Sequence, residues 1–247
     1  MLCGNISSPT LVNIVLKAVT DGKNQGVFSP FIDMNIKIWY YINNKYRQRN
    51  DVIYMLDIPR PSKEEVIKYL NKWDSLENYV LQENALDKLF FNIYPKNTDI
   101  NDILIKCSSL NDFYSTNIFS IFPVAKHILN LNIDVRLKSG DTSLVNDIAN
   151  VTIGNKKLCF YSFATKYCSH HFPTLYPIYD SFVEKVLIYF KKKDCFADFK
   201  TFDLKDYSKF KSILIKFQEF YHIQEFNLKD IDRYLWQLGK DYFPKKY

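Results

Sequence analysis

Hydrophobic positions recur at helical spacing along nearly the whole chain. Val66, Leu70 and Trp73 share one face behind Pro61, Ser62 and Glu65, the residues of a capping-box start. A second apolar series, Leu76, Val80, Leu86, Leu89, Phe90 and Ile93, runs to Pro95. Asn97-Thr98-Asp99 then opens a helix through Ile103 and Leu104, Pro123 begins or kinks one with Val124 and Ile128, and Gly140-Asp141-Thr142 precedes Leu144, Val145 and Ile148. Ile153-Gly154-Asn155 reads as a turn-like break. Beyond it, Phe160, Phe163, Ala164 and Tyr167 form a stripe that stops at Pro173, and Ser181 with Glu184 reads as a second capping box before Val183, Val186, Leu187 and Phe190. Tyr207, Phe210, Leu214, Phe217 and Tyr221 trace a long amphipathic helix. Asn227 and Asp230 start the last one, expected to stop at Gly239 with the glycine in the left-handed C′ conformation. Extended patterns are confined to 27–42 and 51–58, with Lys157-Leu-Cys-Phe ambiguous. The pattern predicts an all-α, multi-helix protein. Its N-terminal helical region spans 1–95 and its second region 96–247, divided near Ile93-Tyr94-Pro95 or interlocked as one domain.

Composition narrows the class without naming a task. With 47% hydrophobic and 24% charged residues and only 6 Gly, the 247-residue chain is neither disordered nor low-complexity. Its net charge of +6 excludes a polybasic arm. Cys3, Cys107, Cys159, Cys168 and Cys195 are odd in number and follow no framework, which predicts a reduced protein. No basic stretch followed by an apolar one opens the chain, and no apolar run approaches the ~20 residues of a spanning helix, so a cytoplasmic protein away from the membrane is expected. No Walker-type loop, Rossmann fingerprint, zincin motif or nucleophile elbow is present. No cofactor and no metal are expected.

Several residues carry two readings. Cys168-Ser-His170-His171 is either part of a zinc site or a helix C-terminus at which histidines complement the dipole; four ligands at recognised spacings are not visible. Lys45, Arg47 and Arg49, interleaved with Tyr40, Tyr41 and Tyr46, form either a solvated face or a stacking platform for single-stranded nucleic acid. Lys191, Lys192 and Lys193 end a helix or reach a phosphate backbone. Trp39, Trp73 and Trp236 occupy apolar helical positions and read as core, and His127 and His222 as partly buried.

The stretch from Ser162 to Asp180, with Phe163, Lys166, Tyr167, His170, His171, Phe172, Tyr176 and Tyr179, carries the most chemistry. A helix bearing Lys166 ends in a proline-punctuated aromatic loop that delivers Asp180 to the start of the next helix. There the helix dipole and unpaired N–H groups favour negative charge. Aromatic neighbours would desolvate the Lys166 ammonium and draw its pKa down toward that of a usable nucleophile. The plain alternatives are an N-cap role for Asp180, shared with Ser181, and a surface position for Lys166.

This arrangement resembles the helix-hairpin-helix DNA glycosylases, the superfamily of the 8-oxoguanine and endonuclease III-like repair enzymes. The likeness covers roughly 110–247, with Leu144 to Ala149 as first hairpin helix, Val151 to Lys157 as hairpin, Phe160 to Cys168 as second helix and Asp230 to Trp236 in a closing helix behind the site. The hairpin has one glycine where the family has two, the cysteines lack iron–sulfur spacing, and Lys166 and Asp180 stand closer in sequence than is usual. The resemblance implies DNA as partner, with Lys166 as nucleophile and Asp180 as catalytic aspartate of a base-excising hydrolase with abasic-site lyase activity. It implies that Gly154, Asn155, Lys156 and Lys157 hold phosphate, and that Tyr167, His170, His171, Tyr176 and Tyr179 line the nucleic-acid side. The other classes in view are a noncatalytic nucleic-acid-binding module and a protein-interaction scaffold.

Overall fold

The computed structural model describes residues 57–243. The extended pieces expected within 27–42, all of that expected at 51–58 but its last two residues, Trp39, and the cluster of Lys45, Arg47 and Arg49 with Tyr40, Tyr41 and Tyr46 lie outside them. Among the described residues the protein is all-α: ten helices, a short π-helical segment, a 3₁₀ turn and one small β-hairpin. Helix starts follow local chemistry. The Ser62 hydroxyl accepts the Glu65 N–H at 3.3 Å and opens α1 (Lys63–Asp74), which buries Val66 and Tyr69. Helix α2 (Glu77–Asp87) widens into the π segment Lys88–Ile93, which ends before Pro95 and buries Phe90. Asp99 caps α3 (Ile100–Tyr114) through the Asn101 N–H at 2.7 Å. Pro123 falls in the first turn of α4 (Ile121–Leu131), where a missing N–H costs no helical bond.

Helix α5 (Asp134–Ser139) is not foreshadowed by periodicity, because six residues are under two turns; Gly140 ends it at φ +72°. Helix α6 (Ser143–Ala149) leads into strands β1 (Asn150–Ile153) and β2 (Lys156–Cys159), antiparallel with Asn150 opposite Cys159 and Ile153 opposite Lys156. Gly154, at φ +58°, occupies the first of two loop positions, where a type II′ hairpin needs a positive φ. The break expected here is thus the tip of a β-ribbon.

Helix α7 (Tyr161–His171) is buried at every position but Ser162 and runs through the interior. Helix α8 (Ser181–Asp194) is capped by Asp180, whose Oδ1 accepts the Phe182 N–H at 2.8 Å. Ser181 is therefore the first helical residue, and the Ser181/Glu184 box is corrected. The 3₁₀ turn Thr201–Lys205 precedes α9 (Tyr207–Phe220), after which His222 is exposed. The last helix, α10 (Leu228–Tyr242), starts with the Asn227/Asp230 capping box but continues through Gly239. A Cβ there would lie 2.6 Å from the Phe182 Cβ and 2.9 Å from the Phe182 carbonyl oxygen, so the glycine marks a close crossing of α8 and α10 and not a helix end.

One core joins these elements, from Ile58 on the first described stretch to Leu238 and Phe243 at the last. It crosses the expected division at 95/96 without interruption, and α1 packs directly on α10. The described residues belong to one compact unit. No helix among them is long and apolar enough to cross a membrane.

Candidate active site

Lys166 and Asp180 are brought together by the hydroxyls of α7. Ser162, one turn before Lys166, accepts from the Lys166 Nζ at 2.6 Å and donates to the Tyr179 carbonyl at 3.2 Å. Thr165 accepts the Tyr179 N–H at 3.2 Å. The loop from Pro173 is held further along by Tyr207, which donates to the Pro177 carbonyl at 2.8 Å, and by Tyr176, which donates to the Arg136 carbonyl at 3.0 Å. Clamped in this way, the head of α8 places the Asp180 Oδ2 4.0 Å from the Lys166 Nζ. The ammonium also lies 5.2 Å from the Tyr114 ring centroid. Burial pushes the Lys166 pKa down, opposed by the charges of Asp180 and Asp232.

The pair lines two recesses. A cleft of about 480 Å³ is walled by Trp73, Tyr79 and Trp236 and reaches Lys166, Asp180 and Asp232. A second recess of about 370 Å³ opens on the other flank, against Tyr161, Tyr179 and Lys205. In the first, the Trp73 and Trp236 rings meet edge to face at 5.8 Å, and Tyr79 meets Trp236 the same way at 5.0 Å. The cations over these rings are Arg233, 5.2 Å from Trp73, and Lys240, 4.4 Å from Trp236. Below them Glu83 is paired with both Lys229 and Arg233. Burial opposes its charge, but the two cations hold its pKa below the usual value.

The other sequence-derived candidates separate into groups. Gly154, Asn155, Lys156 and Lys157 are exposed at the hairpin tip, free to meet a polyanion. Tyr179 is 5% exposed, bonded through its hydroxyl to Glu184 and Lys205, and borders the second recess. Tyr167, His170, His171 and Tyr176 are corrected: they are buried, and each makes a hydrogen bond inside the protein, although the His170 Nδ1 has none and lies 3.8 Å from the Asp87 Oδ1. Tyr167 donates to the Asn97 Oδ1 at 2.6 Å, and the Asn97 amide meets the His171 Nε2 at 3.1 Å. Burial lowers the pKa of both histidines. His170 meets the Tyr114 hydroxyl at 2.9 Å, so it steadies the ring beside Lys166 instead of touching a ligand. Cys168 is buried too, and no group of three or more His, Cys, Asp or Glu side chains among the described residues is placed to hold a metal. Tyr176 stacks on Tyr207 at 6.1 Å and Tyr167 packs on Phe90, so Tyr114 supplies the aromatic surface over Lys166.

Sequence reasoning did not find Tyr114, Glu83 or Asp232, and it placed Trp73 and Trp236 in the core, whereas both are only half-buried and wall the cleft. A signal was present on α10. Lys229, Asp232, Arg233, Trp236 and Lys240 recur at three- and four-residue steps, a polar and aromatic stripe beside the apolar one of Ile231, Leu235 and Leu238.

Comparison with known proteins adds relationship without an activity. The family model HI_0787_N, described as an N-terminal domain, matches residues 65–175, a span that includes Lys166 and stops short of Asp180. A Haemophilus influenzae protein described as "Uncharacterized protein" is 57% identical over 149 residues, 60% of this chain and 71% of the relative. No solved structure matches. At that identity and coverage, the chain belongs to the family of this Haemophilus influenzae protein.

Proposed function

We propose that the protein is a DNA base-excising enzyme with abasic-site lyase activity. The observation that carries this reading is the buried Lys166 amine, 4.0 Å from Asp180, on the wall of a cleft lined by aromatic rings. A base turned out of the stack, at a cost of a few kcal/mol, has a cavity to enter and ring edges to pack on. The neutral amine of Lys166 attacks the anomeric carbon as the glycosidic bond breaks, and the bonding pair leaves with the base. Asp180 balances the positive charge developing on the sugar. The new secondary ammonium loses a proton to water, the C1′–O4′ bond opens to a protonated imine as the ring oxygen takes a proton from water, and loss of a C2′ proton to water expels the 3′ phosphate. The exposed Lys156 and Lys157 at the hairpin tip supply phosphate contacts.

The test is borohydride trapping on duplexes carrying 8-oxoguanine, uracil, hypoxanthine or a preformed abasic site. Wild type should form a covalent complex on the abasic duplex and on at least one lesion, and Lys166→Gln should lose it entirely. Asp180→Asn keeps a capping side chain, so it should fold while excising at least 100-fold more slowly. Absence of any trapped complex with wild type, or trapping that survives in Lys166→Gln, would refute the reading.

A further inference from the structure

Asp232 has no part in the scheme above, yet it faces the same cleft as Lys166 and Asp180. It lies on α10, is 9% exposed, and makes no hydrogen bond with any described residue. Its neighbours in the cleft are committed. Asp180 spends one oxygen on the Phe182 N–H and turns the other to Lys166, while Glu83 is held by Lys229 and Arg233. A buried carboxyl with no partner is costly to keep, and such groups in native proteins call for an explanation in function or an absent ligand.

The charges around it come from several elements. Lys229 lies on its own helix, Lys166 on α7, Asp180 at the head of α8 and Glu83 on α2, with the phenols of Tyr114 on α3 and Tyr207 on α9. Burial, aided by Asp180 and Glu83, outweighs the two lysines and leaves the Asp232 pKa pushed up to about 7. A group so placed carries a proton near neutrality and has nothing within the protein to give it to.

We propose that Asp232 is the general acid that protonates the departing base, an assignment that rests on the base-excision reading of Lys166 and Asp180. As the Lys166 nitrogen forms its bond to the anomeric carbon and the glycosidic bond breaks, the electron pair moves onto the base. The base nitrogen takes the proton of the Asp232 carboxyl, so a neutral base leaves and a carboxylate remains. The proton that the new secondary ammonium sheds on the way to the imine goes to water in the cleft, as it does when the amine adds to a preformed abasic site. Water gives a proton to the ring oxygen as the sugar opens to the protonated imine, returns a proton to Asp232 once the base has left and finally hydrolyses the imine, so atoms and charge balance with water as the co-reactant and the acid is restored for the next turnover.

This role separates two half-reactions, because a preformed abasic site has no base to protonate. Asp232→Asn should excise lesions at least 100-fold more slowly than wild type in single turnover, yet trap on the abasic duplex within about threefold of it. The wild-type excision rate should fall above pH 7, and this limb should vanish in Asp232→Asn. A readout independent of activity is stability. Between pH 4 and about 7 the folded Asp232 holds a proton that the unfolded chain has released, so wild type should lose stability relative to Asp232→Asn as pH rises through that window.

Each result decides something. If wild type neither excises nor traps, the base-excision reading fails and takes this assignment with it. If wild type excises and Asp232→Asn does so at a similar rate, the assignment alone fails. Equal loss of excision and abasic trapping in a folded Asp232→Asn variant also overturns it, as does a variant that melts far below wild type at pH 8, since the carboxyl would then be holding the fold.

Discussion

Two lysines among the described residues are buried, and their surroundings differ in kind. Lys106, on α3, is fully enclosed, with its ammonium bonded to the Tyr94 carbonyl at 3.0 Å, the Lys96 carbonyl at 2.8 Å and the Asn97 Oδ1 at 2.6 Å. Asn97 in turn bonds Asp134, Tyr167 and His171, so the lysine closes a network that fixes the turn before α3. Lys166 has one short bond, to Ser162, looser approaches to the Ser162 and Tyr179 carbonyls at 3.5 and 3.4 Å, and a cleft beside it. Burial lowers the pKa of both, that of Lys106 to about 8. Desolvation is therefore a poor guide to function by itself. A saturated, sealed ammonium is a strut, while an under-coordinated one at a cavity wall is available for chemistry.

The sharpest way to break this contrast is to remove each charge while keeping its bulk. Lys106→Met strands the Tyr94 and Lys96 carbonyls and takes one of two donors from the Asn97 Oδ1, and should cost about 3 kcal/mol of stability. Lys166→Met removes a desolvated charge whose chief partner, Ser162, still bonds to Tyr179, and should stay within about 1 kcal/mol of wild type. Urea denaturation of the two variants checks the order; equal losses would erase the distinction. Next in size is Gly239→Ala. The added methyl meets Phe182 and forces α8 from α10, which should cost about 2 kcal/mol despite alanine's better helix propensity. Because Phe182 also borders the cleft, this variant should raise the labelling rate of Lys166 by an amine-reactive reagent and leave Lys106 unlabelled, as read by mass spectrometry. The smallest effect is expected for Lys156→Ala with Lys157→Ala, lysines of a third kind, exposed at the hairpin tip. Thermal melts should shift stability by less than about 0.5 kcal/mol, while the slope of duplex binding against log salt should fall by about 1 to 2.

Helix starts were legible because they depend on adjacent residues: Ser62, Asp99 and Asn227 each satisfy N–H groups two or three positions on. The start of α8 carried two local readings, a Ser181/Glu184 box and an N-cap at Asp180, and it is the Asp180 carboxylate that caps the helix. Gly239 was misread for a related reason. A glycine near the end of an apolar stripe has the pattern of a C′ residue, and only the neighbouring helix reveals that it is there for close packing. The hairpin showed in the sequence only as a turn at Ile153-Gly154-Asn155 and an ambiguous stretch from Lys157, because β2 is exposed at every position and has no inward-facing side to alternate with an outward one. Within the site, the Lys166 and Asp180 neighbourhood could be read because both belong to one short stretch. Tyr114, Glu83 and Asp232 could not, since their proximity is created by helices far apart in the chain, and the depth of Tyr167, His170, His171 and Tyr176 has no signature in spacing.

The hydrogen bonds that tie α7 to the head of α8 link residues only 14 and 17 positions apart. The wall facing them is closed by pairings of the opposite kind: Gln237 donates to the Tyr69 carbonyl across 168 positions, and Tyr69 donates to Asp241 across 172. Loop-closure entropy separates these two events in time during folding. The lysine–aspartate pair is a low-contact-order unit that can assemble early, and the cleft becomes a cleft only when the two ends of the described chain meet. Pulse-labelled hydrogen exchange during refolding should therefore protect the amides at the head of α8 before those where α1 meets α10.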